Sequence, residues 1–140
     1  MPHENVEAVR AIYERFGEGD FSSSVDLLDG NVSFLMLPEA PQAEERRGRA
    51  SNLYMGVEGV ATGMRRLLET WTELRMEAEE VIDAGDAVLV SVIQRGTARA
   101  TGVPTELRYY TLWSFRGPKV IRIENIRGRE QALEAAGLRT

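Results

Sequence analysis

Apolar residues recur at helical spacing in the first half of the chain. Near the N-terminus they repeat every three or four residues, which predicts an amphipathic helix over residues 4–17. Its apolar positions are Val6, Val9, Tyr13 and Phe16. A second stripe begins at residue 56 and predicts a longer helix that packs on a sheet. Its members are Val57, Val60, Ala61, Met64, Leu67, Leu68 and Trp71.

The segment between these two helices is less regular. Asp20 or one of the serines after it can cap a short helix, and residues 31–37 are typical of a strand. The apolar positions of that short helix are Phe21, Val25 and Leu28. Residues 38–55 hold two prolines and many polar residues without periodicity, which predicts a long loop. Tyr54 and Arg49 close over a binding site if this loop is a lid; the alternative is a mobile surface loop.

The second half of the chain alternates between apolar and polar residues and is bounded by short turn sequences. This pattern predicts four strands joined as a meander. They span residues 73–83, 87–100, 105–115 and 119–126. A closing helix follows over residues 128–136, with Gly137 at its C-terminal cap. The order of elements predicts one α+β domain over residues 1–140, with helices packed on one face of an antiparallel sheet.

Composition narrows the possible functions. The chain has 140 residues and a formal net charge of −5, which disfavours nucleic-acid binding because phosphate contacts need clustered Lys and Arg. Its one dense basic stretch, ERRGR at 45–49, includes an acid and is interpreted as a solvated loop. There is no cysteine, and the only histidine is His3 near the terminus, so we predict no metal site, cofactor or Ser-His-Asp triad. The N-terminus lacks the long apolar run of a signal peptide or membrane span, and a cytoplasmic protein is expected.

Three polar residues fall on the predicted inward faces of the strands. Alternation places Gln94, Thr111 and Asn125 on the same side as the apolar core. Each needs a partner, because a buried polar group without one costs about 1–3 kcal/mol. The partner is either another protein group or a bound ligand, and both interpretations stay open here. In the ligand interpretation the apolar walls are Tyr109, Trp113, Trp71 and Met64.

The opposite face of the strands carries apolar residues as well. Leu89 and Ile93 point outward from one strand, and Tyr110 and Leu112 point outward from its neighbour. A contiguous apolar patch on an outer sheet face is typical of association. The sequence therefore predicts a symmetric homodimer through this face.

Several segments together resemble the SnoaL-like members of the nuclear transport factor 2-like superfamily, which includes ketosteroid isomerase and limonene epoxide hydrolase. They are EGD (18–20), LLDGNVSF (27–34), YMGVEGV (54–60), VIDAGDAVLVSV (81–92), LWSFRGPKVIRIENI (112–126) and REQALEAAGL (129–138). The resemblance covers nearly the whole chain. It implies a cone-shaped barrel, in which helices pack on the concave face of a curved antiparallel sheet. Members of the superfamily include isomerases, hydrolases, cyclases, dehydratases, ligand binders and transport adaptors, so the fold alone does not identify a reaction.

The resemblance can be carried over to individual positions. The general base of the related isomerases falls at Met36, whose thioether cannot accept a proton at neutral pH. Their helical oxyanion donor falls at Ile12, beside Tyr13, and their second donor falls at Thr111. The inward positions hold no Asp–Arg–Asp set of the kind the epoxide hydrolases need.

Two hypotheses follow from the sequence. In the first, the protein binds a hydrophobic small molecule in a mostly apolar cavity and acts on it, if at all, as an isomerase, hydrolase or dehydratase. Thr111, Asn125, Gln94 and Tyr109 would orient that molecule. The rest of the predicted pocket consists of Trp113, Trp71, Met64, Met36 and Tyr13. In the second, the protein is a non-catalytic dimeric scaffold whose interior is filled by its own side chains.

Overall fold

The computed structural model describes residues 2–22, 24–36 and 53–138. The helices are α1 (Pro2–Gly17), α2 (Gly56–Thr70) and α3 (Arg129–Ala135), with a short 3₁₀ turn at Val25–Leu27. The strands are β1 (Leu28–Leu35), β2 (Leu53–Met55), β3 (Trp71–Asp83), β4 (Ala87–Ala98), β5 (Pro104–Arg116) and β6 (Lys119–Ile126). Most of the predicted loop 38–55, including Arg49, lies outside the described residues. No helix within them is long and apolar enough to cross a membrane.

The six strands form one curved sheet in the order β2-β1-β6-β5-β4-β3. Strands β3 to β6 pair as the antiparallel meander that the sequence predicts. β1 pairs in parallel with β6, so the sheet is mixed rather than antiparallel throughout. A parallel pair needs a long crossover connection, and the chain between β1 and β6 provides one. β2 and β3 lie at the two edges, so the sheet is an open cone and does not close into a barrel.

Two element boundaries in the structure differ from the predicted ones, each for a local reason. The predicted second helix shrinks to the 3₁₀ turn, and Leu28 begins β1 with its side chain buried in the core. At the other boundary, α2 ends at Thr70, and the extended backbone of Trp71 starts β3. Trp71 still packs against the core, which is why it fits the helical stripe in the sequence.

The main core lies on the concave side of the sheet, beneath α1 and α2. α1 buries one stripe there, and the inward residues of β3 to β6 complete the core. The stripe of α1 consists of Val9, Ile12, Tyr13 and Phe16. Gly63 lets α2 approach the sheet closely, because a Cβ at this position would lie 3.2–3.3 Å from Tyr54, Met36 and Phe34. This layer confirms that α1 and α2 pack on the concave face.

The third helix packs on the opposite, outer face of the sheet, which corrects the expectation that all helices share the concave face. Ala132 is fully buried against Leu89 and Leu112, and the small side chain of Ala136 contributes to the same contact. α3 ends as predicted: Gly137, at φ 73°, donates to Glu134 O, and Leu138 donates to Leu133 O. The outer face therefore has a small apolar core of its own.

Charged side chains cover the rest of the described outer face beside Ile93. Arg95 pairs with Glu77 and Glu106, and Arg108 pairs with Glu79. Ile93 lies between Glu77 and Arg108 in the sheet register and is only 8% exposed. The long aliphatic parts of such charged side chains can cover an apolar neighbour while their charged ends stay in water.

Together, α3 and the ion pairs cover the residues of the predicted apolar patch. Leu89, Leu112 and the half-buried Tyr110 belong to the cluster beneath α3, and Ile93 is buried among the ion pairs. The four residues do not form an exposed apolar surface within this chain. The homodimer itself stays a prediction.

Candidate functional site

Four polar side chains on the concave face form one connected hydrogen-bonded network. Trp113 Nε1 donates to Tyr13 Oη over 3.2 Å, which joins β5 to α1. The Tyr13 phenol is also hydrogen-bonded to the Thr111 side chain. Thr111 Oγ1 donates to Asn125 Oδ1 over 2.8 Å, and these two residues are direct neighbours across β5 and β6. The network therefore runs from the helix across the inner face of two strands.

A second polar pair lies beside this network on the same face. Tyr109 Oη donates to Gln94 Oε1 over 2.7 Å, which joins β5 to β4. Gln94 is only 4% exposed and Tyr109 only 5%. The sulfur of Met76 lies 3.8 Å from the same hydroxyl. The three inward polar residues that alternation singled out, Gln94, Thr111 and Asn125, are thus all paired with other side chains.

Burial keeps both inward phenols protonated. Desolvation raises the pKa of Tyr13 to about 12, although its hydrogen bonds to Trp113 and Thr111 oppose that shift. Desolvation also raises the pKa of Tyr109 far above its usual range, and the neighbouring Tyr13 adds to the effect. At neutral pH both groups are neutral hydroxyls that donate and accept hydrogen bonds.

The other three predicted pocket residues are half-buried and pack against the same core. Trp71, Met64 and Met36 all contact it. Trp71 lies against the backbone of Gly96 on β4, and Met36 lies near Gly63 on α2. Leu107, which alternation on β5 places on the same face as Tyr109, is 37% exposed, so the concave face is more open toward the start of β5. All nine predicted site residues are thus on the concave side, and six of them form the two polar groups.

The role of Tyr13 is the feature that the sequence reveals least. Its spacing with Val9 and Phe16 places it in the apolar stripe of α1, but its bond to Trp113 joins residues 100 positions apart. The Tyr13 ring also meets the Trp113 ring edge to face, with centroids 6.0 Å apart. The sequence contains one signal for this contact, because Tyr13 and Trp113 are both inward aromatic residues that carry a polar group.

The polar groups described at this site are hydrogen-bonding groups. The buried polar residues that the structure describes, apart from tyrosine and tryptophan, are Asn5, Ser24, Gln94 and Thr111, none of which ionises at neutral pH. Over the described ranges there is also no cluster of three His, Asp or Glu side chains that could hold a metal ion. A depression of about 400 Å³ lies elsewhere, at one end of β3, β4 and β5. It is lined by Glu73, Arg95, Gly96, Thr97, Pro104, Thr105 and Glu106, and contains none of the predicted site residues.

Comparison with known proteins identifies the family. Residues 9–123 match the family model of the SnoaL-like domain. A comparison with curated protein sequences gives no match.

Solved structures share the fold over nearly the whole chain. A nuclear transport factor 2-like protein from Burkholderia pseudomallei is 22% identical with a TM-score of 0.72, over 93% of this chain and 95% of that one. TerC, co-crystallised with polyporic acid, is also 22% identical, with a TM-score of 0.70 over 98% and 99% of the two chains. A protein from Jannaschia named as a SnoaL-like polyketide cyclase is 16% identical, with a TM-score of 0.71 over 99% and 94%. Identities this low establish a common fold. They do not show that the proteins share a ligand.

Proposed function

We propose that this chain, which belongs to the SnoaL-like domain family, binds a hydrophobic small molecule on the concave face of its sheet. The observation that carries the proposal is the convergence of two polar groups on one largely apolar face. An apolar surface with a few converging polar groups is the usual form of a small-molecule site. The half-buried walls formed by Trp71, Met64 and Met36, and the exposed Leu107, leave part of this face open to a ligand.

Binding is better supported than proton-transfer catalysis. A general base must accept a proton near neutral pH, and the buried phenols are neutral donors there. If the bound molecule reacts, the groups at this face act by donating hydrogen bonds to an oxygen that gains negative charge. Isomerisation, dehydration, hydrolysis or the cyclisation named for the Jannaschia protein all pass through such an oxygen when the substrate is a carbonyl compound.

The second candidate function is a scaffold without a ligand. It is favoured by one observation, namely that Thr111, Gln94, Tyr109 and Trp113 find hydrogen-bond partners among side chains of the same chain. In this case the polar groups would serve stability alone. The homodimer and the cytoplasmic location predicted from the sequence are compatible with either function.

A ligand screen separates the two functions. Hydrophobic carbonyls, epoxides and polyketide-like aromatics are tested by thermal shift, and positives are measured by isothermal titration calorimetry. We expect saturable binding by at least one aromatic carbonyl compound, and weaker binding to the Thr111→Val variant. Binding by no compound class, with a Thr111→Val variant that differs only in stability, would establish the scaffold instead.

A further inference from the structure

Three aspartates fold their carboxylates back onto their own main chain. Asp29 Oδ2 accepts a hydrogen bond from Asn31 N over 2.8 Å. Asp20 and Asp83 each make the same contact with the backbone N–H two residues on, over 3.0 Å. This arrangement, an Asx turn, holds the carboxyl group beside the peptide bond that follows the aspartate. The three turns differ in the residue after the aspartate, which is Phe21, Gly30 or Ala84.

A carboxyl group held beside the next peptide bond can react with its nitrogen. Attack by that nitrogen on the protonated carboxyl group forms a C–N bond, closes a five-membered succinimide ring and releases one water molecule. Water then adds to either carbonyl of the ring and breaks a C–N bond. One product is the original aspartate, and the other is isoaspartate, in which the Cβ atom has entered the main chain. The two steps together consume and release one water molecule and need no oxidant or reductant.

The residue after Asp29 offers the least resistance to this ring closure. Asp29 and Gly30 form the single Asp-Gly pair of the sequence, which contains no Asn-Gly pair. Gly30 has no Cβ to hinder its nitrogen, and no heavy atom lies within 4 Å of the place where a Cβ would be. Glycine also has more backbone freedom than any other residue. The turn at Asp29 therefore reaches the geometry of ring closure more easily than the turns at Asp20 and Asp83.

The strand around this pair leaves it outside the hydrogen-bonded ladder. Leu28 and Ser33 of β1 are successive partners of β6, opposite Val120 and Arg122. The four residues 29–32 therefore stand against a single residue of β6 and form a bulge. In the described part of the chain, β2 also pairs with β1 only from Ser33 onward. The bulge can move, and can hold a main chain that is one atom longer, without loss of a paired position.

The described ion pair at Asp29 opposes the reaction only weakly. Arg116 Nη2 lies 3.7 Å from Asp29 Oδ1, and the Arg116 side chain is 73% exposed. An exposed pair of this kind contributes about 0–1 kcal/mol. It favours the ionised carboxylate, whereas ring closure uses the protonated form. The reaction should therefore be faster in mild acid than at neutral pH.

We propose that Asp29 is a site of spontaneous isoaspartate formation in the folded protein. The proposal is independent of the proposed ligand-binding function. The product keeps one carboxylate, so the net charge is unchanged, and the added backbone atom lies within the bulge. Isoaspartate is the chemical group that protein-isoaspartate methyltransferases recognise, so the modified chain is a substrate for an enzyme of that class.

The test follows isoaspartate at three positions of one sample. The full-length wild-type protein is kept folded at 37 °C and pH 6 for several weeks and is then digested with trypsin. Mass spectrometry with electron-transfer fragmentation distinguishes isoaspartate from aspartate at each position. Methyl transfer by a protein-isoaspartate methyltransferase measures the total. Asp20 and Asp83 are internal controls, because they make the same turn before a residue with a side chain.

Isoaspartate is expected to form at Asp29 at least about tenfold faster than at Asp20 or Asp83, since each factor of ten in rate needs only about 1.4 kcal/mol of barrier. Gly30→Ala should lower the rate at Asp29 to that of Asp83. This variant is expected to fold, because Gly30 has no positive φ and alanine has room there. A sample of the wild-type protein unfolded in guanidinium chloride provides the rate for the chain without the bulge.

Three outcomes would overturn the proposal. Equal rates at the three aspartates would show that Gly30 gives no advantage, as would a Gly30→Ala variant that reacts as fast as wild type. Isoaspartate that forms at Asp29 only in guanidinium chloride would show that the folded bulge holds the pair apart.

Discussion

Thr111 connects the two parts of the concave network, Tyr13 on α1 and Asn125 on β6. Its hydroxyl links the Tyr13 phenol on α1 to the Asn125 amide on β6, and the residue is only 4% exposed. One hydroxyl thus satisfies two partners in a region shielded from water. Because unsatisfied buried groups are costly, removing this hydroxyl should affect both partners.

Thr111→Val is therefore expected to lower the free energy of unfolding by about 1–3 kcal/mol, since valine has the same shape and leaves Asn125 Oδ1 without its donor. Urea unfolding measures the change. The control is Thr105→Val on the same strand, whose hydroxyl is at the exposed end and bonds only Val103 O. That control should stay within about 0.5 kcal/mol of wild type. Equal effects of the two substitutions would show that the network contributes nothing to stability.

The two buried tyrosines predict a specific loss of stability in alkali. Because the folded-state pKa of Tyr13 is raised to about 12, the unfolded chain releases its phenolic proton first as the pH rises. Stability is constant with respect to this group below about pH 10 and falls between pH 10 and 12, by about 1.4 kcal/mol per pH unit. Tyr109, whose pKa is also raised, adds to the same slope.

Urea unfolding from pH 8 to pH 11.5 measures that slope. Tyr13→Phe should be less stable than wild type at pH 8 and should lose stability less steeply above pH 10. Parallel curves for the two proteins would contradict the assignment of the slope to Tyr13.

Alternation in the sequence was sufficient to place Gln94, Thr111 and Asn125 on one face, because side chains of a strand point to opposite sides in turn. It could not decide what their partners are. The bond between Trp113 and Tyr13 depends on how α1 docks, which no local pattern encodes. The direction of each hydrogen bond likewise required the assembled network.

At the scale of elements, α3 covers part of the outer sheet face. Ala132 is fully buried there, while Ala135 on the same helix is exposed. Small residues allow the helix to lie close to Leu89 and Leu112. The helix has only two turns, so its stability comes from this packing rather than from helix propensity.

Ala132→Asp should therefore detach α3 or lower the free energy of unfolding by more than about 2 kcal/mol, because it buries an unpaired carboxylate. Ala135→Asp adds the same charge at an exposed position and should have little effect. Urea unfolding gives the energies, and light scattering reports whether the uncovered Leu89 and Leu112 cause association. If the two variants behave alike, α3 does not pack as described.

The predictions of individual elements succeeded where periodicity was long and failed where two patterns overlap. The bounds of β6, 119–126, match the sequence prediction in full. Trp71 satisfies both the helical stripe of α2 and the inward face of β3, so its spacing could not show where the helix ends. Leu28 is similar, because it could complete a short helix or begin β1.

At the scale of the whole molecule, the two faces of the sheet have different covers. α1 and α2 pack on the concave face, with its hydrogen-bonded amides and hydroxyls. On the outer face, α3 covers one part and ion pairs cover another. The α+β class was predictable from the order of elements, whereas the parallel pairing of β1 with β6 was not, since these strands are far apart in sequence.

This arrangement changes the basis of the homodimer prediction. Of the apolar residues that suggested the dimer, three are buried within the chain and Tyr110 is half-buried. The surface beside them carries exposed ion pairs, which contribute only about 0–1 kcal/mol each. If the outer face does form a dimer, the contact must use the surface of α3 or these charged side chains. Light scattering at micromolar concentration measures the mass, and a monomer would end the dimer prediction.

The most direct test of the concave site is a titration of the isotope-labelled protein with an aromatic carbonyl compound that binds in the ligand screen, followed by the nuclear magnetic resonance signals of side-chain N–H groups. Ligand binding as proposed should shift the NH₂ signals of Asn125 and Gln94 and the indole signal of Trp113 in one saturable process. The NH₂ signals of Asn31 and Gln131, on the exposed surface, should stay in place. Shifts confined to surface groups, or no saturable shift at all, would contradict the assignment of the concave face as the binding site.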